Sequence, residues 1–224
     1  MPTLAPARRR SPQSDRSRRA GGKPTEEELL SIGDPPDGTR MSHAEFNRRT
    51  LEFRCELVDG KLDYLGTMAR DLHGMIVRFL NRAFDAYLLA QFPDALLQGQ
   101  HIRIRIRRGR SRDPDVVVLL NPNHPGRGPD EWEYADLCVE VVSPDDPDRD
   151  YVDKRRDYAA AGVPEYWIVD PRDRTDADPR GRTVRVLSLA GGEYSETVFE
   201  EGETAAGAVL PGFAVDVTAC LAGA

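Results

Sequence analysis

Two runs of the sequence, Val116–Leu120 and Leu137–Val142, are apolar at almost every position and rich in valine. A strand with one wet face alternates apolar and polar residues, so runs like these need cover on both faces. The chain is therefore expected to bury a sheet between two further layers. One of these layers is legible. From Arg70 to Gln91 the residues Leu72, Met75, Ile76, Phe79, Leu80, Ala83, Phe84, Tyr87 and Leu88 recur at three- and four-residue steps, the apolar face of a helix. Glu165–Val169 reads as another buried strand, and Tyr151–Ala161 as a helix ended by Gly162. Leu96–Gln98 and His101–Arg107 are strand-like. A helix, then strands, then a helix and a strand between residues 70 and 170 is an α/β (α+β) order.

Hairpins are expected on either side of this core. Phe53–Val58 and Lys61–Leu65 flank Asp59-Gly60, and Thr183–Leu189 and Glu193–Phe199 flank Gly191-Gly192. Ser42 can cap a short helix over His43–Arg49. Residues 1–40 are rich in Arg, Ser, Pro and Gly and read as a disordered extension, with at most a turn or two of helix at Thr25–Ser31 capped by Thr25. The globular domain is expected over residues 41–224, and no internal repeat is evident.

Charge and the sulfur and imidazole residues narrow the chemistry. Residues 1–23 carry +6, whereas the whole chain carries −7, which leaves −13 on the remainder. An acidic body of this kind is not that of a protein that coats DNA; it meets nucleic acid through a local patch or not at all. Cys55, Cys138 and Cys220 are widely spaced, and so are His43, His73, His101 and His124. That spacing argues for reduced thiols in the cytoplasm and against a zinc site, so any metal is expected on oxygen ligands, magnesium or manganese. No apolar run of 18 residues is present, and no apolar stretch follows the N-terminal arginines, so neither a membrane span nor a secretory signal is expected.

Three residues conflict with the burial around them, and conflicts of this kind mark functional sites. Glu140 lies in the middle of an interior strand, where an unpaired carboxylate costs several kcal/mol. Asp115 follows Pro114 and opens Val116–Leu120, with Asp113 as a competitor. Two carboxylates about 4 Å apart repel by roughly 4 kcal/mol at an effective dielectric near 20, a penalty that a divalent cation removes. Lys154 shares the helical stripe of Tyr151, Tyr158 and Ala161. It either snorkels outward or points at the two acids, where it could hold an attacking water. Glu56 could add a fourth polar group or be an exposed hairpin acid. Finally, His101–Arg107 alternates isoleucine with Arg103, Arg105 and Arg107, which share one strand face. That face suits phosphate contacts, or equally pairing with acids of a neighbouring strand.

These residues resemble a known family. Arg112-Asp113-Pro114-Asp115-Val116 looks like the PD element of the PD-(D/E)XK nucleases. Leu137–Pro144, Lys154 and Tyr158–Asp170 resemble one bacterial branch, the Uma family of restriction endonucleases. Glu56–Gly60 and His73 belong to the same likeness, which spans roughly residues 42–217. The resemblance implies a restriction-endonuclease-like core, a mixed sheet flanked by helices with added hairpins. It implies Asp115 and Glu140 as ligands of Mg²⁺ or Mn²⁺, Glu56 as an auxiliary acid and Lys154 as the catalytic lysine. The chain departs from the superfamily at Val142, where the lysine usually stands two residues after the second acid. The implied function is endonucleolytic hydrolysis of phosphodiester bonds. The implied partner is nucleic acid, with DNA taken first; a homodimer is allowed. The rival reading is a non-catalytic binding protein that keeps the fold.

Overall fold

The computed structural model describes residues 22–49, 51–65, 70–99, 102–129 and 131–224. Along the chain run α1 (Glu26–Ile32), α2 (His43–Arg48), β1 (Cys55–Val58), β2 (Lys61–Tyr64), α3 (Arg70–Gln91), β3 (Leu96–Gly99), β4 (Arg103–Arg107), β5 (Arg110–Arg112), β6 (Val116–Leu119), β7 (Glu131–Trp132) and β8 (Leu137–Val141). A π-helical turn (Arg149–Lys154) leads into α4 (Arg155–Ala160), then β9 (Glu165–Asp170), β10 (Thr183–Ala190), β11 (Glu193–Glu200), β12 (Thr204–Ala206), β13 (Ala214–Asp216) and α5 (Val217–Ala222).

The central sheet has the order β11-β10-β9-β8-β6-β3. Within this sheet, among the described residues, β8 and β9 pair in parallel, joined by the π turn and α4, and the other pairs are antiparallel. Both faces are covered, as the apolar runs require. Val116, Val118, Val139 and Val141 pack with Ile76, Leu80, Phe84 and Leu88 of α3 and with Val217, Cys220 and Leu221 of α5. Val117, Leu119 and Cys138 face the other way, toward Tyr151 and Tyr158. The stripe on α3 begins later than its pattern suggests, because Leu72 and Met75 are exposed.

A second sheet, β2-β1-β5-β4-β7, lies on the Tyr151 and Tyr158 side, where Ile104 of β4 joins the same core. The turn between β1 and β2 places Asp59 and Gly60 at φ 51° and 74°, the left-handed pair that a tight two-residue hairpin needs. The packing begins ahead of Met41. Thr25 caps α1 through the backbone N–H of Glu28, and Leu29 is buried with Phe46, Leu57 and Tyr64. Residues 1–21 of the expected extension, and His101 at the expected start of β4, lie outside the described residues.

The 207–209 segment is latched to the central sheet by Glu165, which is buried. Its carboxylate accepts N–H donors from Trp167 Nε1 at 2.7 Å, Ala208 at 2.6 Å and Val209 at 3.0 Å. Gly207 has no side chain because a Cβ there would collide with that carboxylate. Glu165→Ala leaves three donors without their acceptor. At roughly 1 kcal/mol or more each, the expected loss is about 3 kcal/mol. Urea unfolding at neutral pH measures it, and a loss below about 1 kcal/mol would remove the latch from the account.

Candidate active site

Asp115 and Glu140 are brought together by the pairing of β6 with β8. Val116 stands opposite Val139, the Asp115 N–H donates to the Val139 carbonyl at 3.1 Å, and the Val141 N–H donates to Asp115 Oδ2 at 2.9 Å. The two acids therefore come from adjacent strands. By the strand alternation they share the face of Val117 and Cys138. Both are buried, at 3% and 2% exposure, yet both line a cleft of about 590 Å³ together with Arg54, His73, Asp150 and Lys154.

Lys154 reaches them from the π turn. Its Nζ lies 2.9 Å from Glu140 Oε2, 3.0 Å from Asp150 Oδ1 and 3.9 Å from Glu56 Oε1. The helix expected from Tyr151 thus opens with a wider turn, a device frequent at functional sites. Val142, at the position where the superfamily places its lysine, is buried in the Tyr158 core and cannot serve. Burial alone would lower the Lys154 pKa, but Asp150, Glu140, Glu56 and Asp115 outweigh it and hold the ammonium charged. Burial pushes Glu140 above the ordinary carboxylate range; Lys154 opposes this, while Asp115, Asp150 and Glu56 add to it. Its Oε1 accepts from Tyr158 at 2.6 Å. For Asp115 burial is overcome by His73, Arg54 and Lys154, which hold it well below that range.

Glu56 is fully buried behind Lys154, so the exposed-acid alternative does not hold. It accepts from Arg112 Nη1 at 2.6 Å and from the Asp113 N–H at 3.2 Å. Burial would raise its pKa, but Arg112, Lys154 and Arg149 bring it down from 4.5 to about 2. A depressed carboxyl contributes stability that is present above its unfolded pKa and is lost as pH falls through its folded one. At 1.36 kcal/mol per unit this contribution is on the order of 3 kcal/mol. Glu56→Gln is expected to cost stability at pH 6 and progressively less as pH falls from 4.5 toward 2. A stability difference that stays constant over that range in urea titrations would refute the assignment.

The arginine face of β4 is engaged within the chain. Arg103 stacks on the Phe46 ring at 3.9 Å and reaches Asn47. Arg105 donates to Glu131 at 2.7 Å and to Glu133 at 2.6 Å, and Arg107 pairs with Asp59. None of the three lines the cleft. Arg105 and Arg107 thus meet acids, while Arg103 meets an aromatic ring and an amide.

Three neighbours in the site carried no assigned role in the sequence reading. His73 Nε2 lies 3.1 Å from Asp115 Oδ2, and its place in the family-like pattern was its only signal. Arg54 Nη1 donates to Asp115 Oδ1 at 3.0 Å. Asp150 stands four residues before Lys154, the spacing of a helical ion pair. At the mouth of the cleft, the Gly22 N–H donates to Asp145 at 3.0 Å, and Lys23 is held by Asp37 at 3.0 Å and by Asp63.

The donor set can be tested against a metal. Among the described residues no three His, Cys, Asp or Glu side chains converge as a ready ligand cage. Two oxygen donors, Asp115 and Glu140, do face one cleft. That fits magnesium, which keeps several waters and takes one or two carboxylates plus substrate phosphates.

A family model described as "Uma2: Putative restriction endonuclease" matches residues 43–218. Among solved structures, the chain is similar to a "putative nuclease belonging to DUF820" from Anabaena variabilis ATCC 29413. The TM-score is 0.63 at 17% identity, over 82% of this chain and 98% of that one. At that identity the likeness speaks to the fold alone. A comparison with curated proteins finds no match. Among the described residues no helix is long and apolar enough to cross a membrane.

Proposed function

Because the chain belongs to the Uma2 family of restriction endonucleases, we propose that it hydrolyses phosphodiester bonds of nucleic acid, DNA in the first place, in the cleft of Asp115, Glu140 and Lys154. The observation that carries this reading is the convergence of a charged, buried lysine on Glu140 beside Asp115. A purely structural lysine at this depth would not need to line an open cleft.

Asp115 and Glu140 would hold magnesium or manganese. Such an ion supplies Lewis acidity at the scissile phosphate and eases deprotonation of the attacking water. The residues of the chain do the rest. Glu140 is fixed by Tyr158 on one oxygen and by Lys154 on the other. The Lys154 ammonium carries three donors and is ion-paired with Glu140 at 2.9 Å and with Asp150 at 3.0 Å. From there it would orient a water or steady charge on a phosphate oxygen. Glu56 and Asp150 keep the ammonium protonated and aimed. No covalent enzyme intermediate is needed.

The test is a digestion panel of plasmid DNA, linear duplex, single strand and RNA with Mg²⁺ or Mn²⁺, run on wild type and Glu140→Ala. Wild-type cleavage that is lost in EDTA and lost in the variant supports the proposal. Cleavage that persists in Glu140→Ala would place the chemistry elsewhere.

A further inference from the structure

Arg54 immediately precedes β1 and enters the cleft beside Asp115. Its Nε donates to Asp113 Oδ2 and its Nη2 to the Asp113 carbonyl, both at 3.0 Å, while Nη1 donates to Asp115 Oδ1 at 3.0 Å. Asp113 thus fixes one edge of the guanidinium plane with two bonds that do not involve the proposed ligand Asp115. A guanidinium has five N–H donors, and these contacts use three. The other two have no hydrogen-bond partner among the described residues.

Exposure separates Arg54 from the arginine that does structural work nearby. The Arg112 side chain is 3% exposed and shared between Glu56 and Asp157, whereas that of Arg54 is 26% exposed and lines the cleft. Of the other cleft cations, Lys154 is paired with Glu140 and Asp150, Lys23 with Asp37 and Asp63, and Arg149, 16% exposed against 26% for Arg54, with Asp63, Asp146 and Glu56. The cleft is also rimmed by Asp145 and Asp146, so an incoming phosphodiester needs a cation placed to receive it. A planar fork with two free N–H groups matches two oxygens of a phosphate better than an ammonium does.

We propose that Arg54 is a catalytic residue that grips non-bridging oxygens of the scissile phosphate, and that Asp113 is the positioning residue that holds it there. The proposal rests on the phosphodiesterase reading above. It also gives a role to Asp113, the acid that competes with Asp115 in Arg112-Asp113-Pro114-Asp115. With its edge held by Asp113, the guanidinium presents its terminal nitrogens at the acid pair without having to be ordered when substrate arrives.

The test uses the full chain and a duplex oligonucleotide that the wild type cleaves. Arg54→Lys keeps a cation beside Asp113 and Asp115 but removes the fork. It is expected to lower kcat by about 10²-fold or more, while Mn²⁺ binding by calorimetry and the thermal midpoint stay close to wild type. Arg54→Ala is expected to recover part of its rate when guanidinium chloride is added at millimolar concentration, and none with methylammonium. Asp113→Asn should lower kcat in the same direction by a smaller factor, with Mn²⁺ binding retained. The proposal is overturned if Arg54→Lys cleaves as wild type does. It is also overturned if Arg54→Lys loses Mn²⁺ binding or folding in step with its rate, which would make Arg54 only the counter-charge of Asp115. A wild type that cleaves nothing brings down the phosphodiesterase reading instead, and the wild-type arm shows that separately.

Discussion

Lys154→Met is expected to slow phosphodiester cleavage by roughly 10²–10³-fold, the usual effect of removing one preorganised donor from a reacting centre. Methionine keeps an unbranched side chain one heavy atom shorter and much of the volume, and it removes the charge and the three N–H donors. The complication is that Lys154 neutralises Glu140 and Asp150, both buried. Removing one partner of a buried ion pair costs about 3–5 kcal/mol, so the single variant loses stability as well as rate. A double variant, Lys154→Met with Asp150→Asn, separates the two effects. Asp150 is then neutral and Glu140 can take up a proton, so the urea midpoint should recover much of the loss. The rate should not recover, because no ammonium faces the cleft. A double variant that regains both would mean that Lys154 serves the fold and not the chemistry.

Saturating divalent metal is expected to stabilise the protein against unfolding. A ligand that binds only the native state at about 100 times its Kd adds about 2.7 kcal/mol. The unfolded chain has no preformed pair of carboxylates, because Asp115 and Glu140 meet only through the register of β6 and β8. Thermal melts of the wild type with Mn²⁺ or Mg²⁺ against EDTA should show the upward shift. Asp115→Asn with Glu140→Gln should abolish it while keeping the same shapes in the cleft. An equal shift in that double variant would locate the bound metal elsewhere on this acidic surface.

The parts of the fold that were legible in the sequence are those whose burial leaves a one-residue signature. Val116–Leu119 and Leu137–Val141 are buried on both faces, so no polar residue interrupts them except the one that matters, Glu140. The bounds of α3 follow from a stripe long enough to repeat. By contrast, β5 is Arg-Ser-Arg and reads as surface, yet all three residues are buried. Its two arginines are neutralised by Asp157 and Glu56, 47 and 56 residues away in the chain. Pairing across such distances leaves no local pattern. The strands β7, β12 and β13 and the helix α5 are too short for any periodicity to emerge.

The candidate site was legible to a similar degree and for similar reasons. Glu140 conflicts with its strand and Lys154 with its stripe, so each stands out within a few residues. The π turn that aims Lys154 is invisible, because its sequence reads as ordinary helix. Arg54 does not stand out at all. Its role depends on Asp113 and Asp115, 59 and 61 residues later, and on strands that meet only in the folded chain.

The position of Gly22 and Lys23 at the cleft mouth has a practical side. The described chain begins at Gly22, beside Asp145 on the lining of the cleft. A histidine-rich purification handle joined directly to Gly22, in place of residues 1–21, would set imidazoles near the acid pair and compete for divalent ions. No residue after Lys154 lines the cleft, and the C-terminal Ala224 lies against Arg78 and Arg82 of α3. A handle at that end keeps the assay and the protein apart.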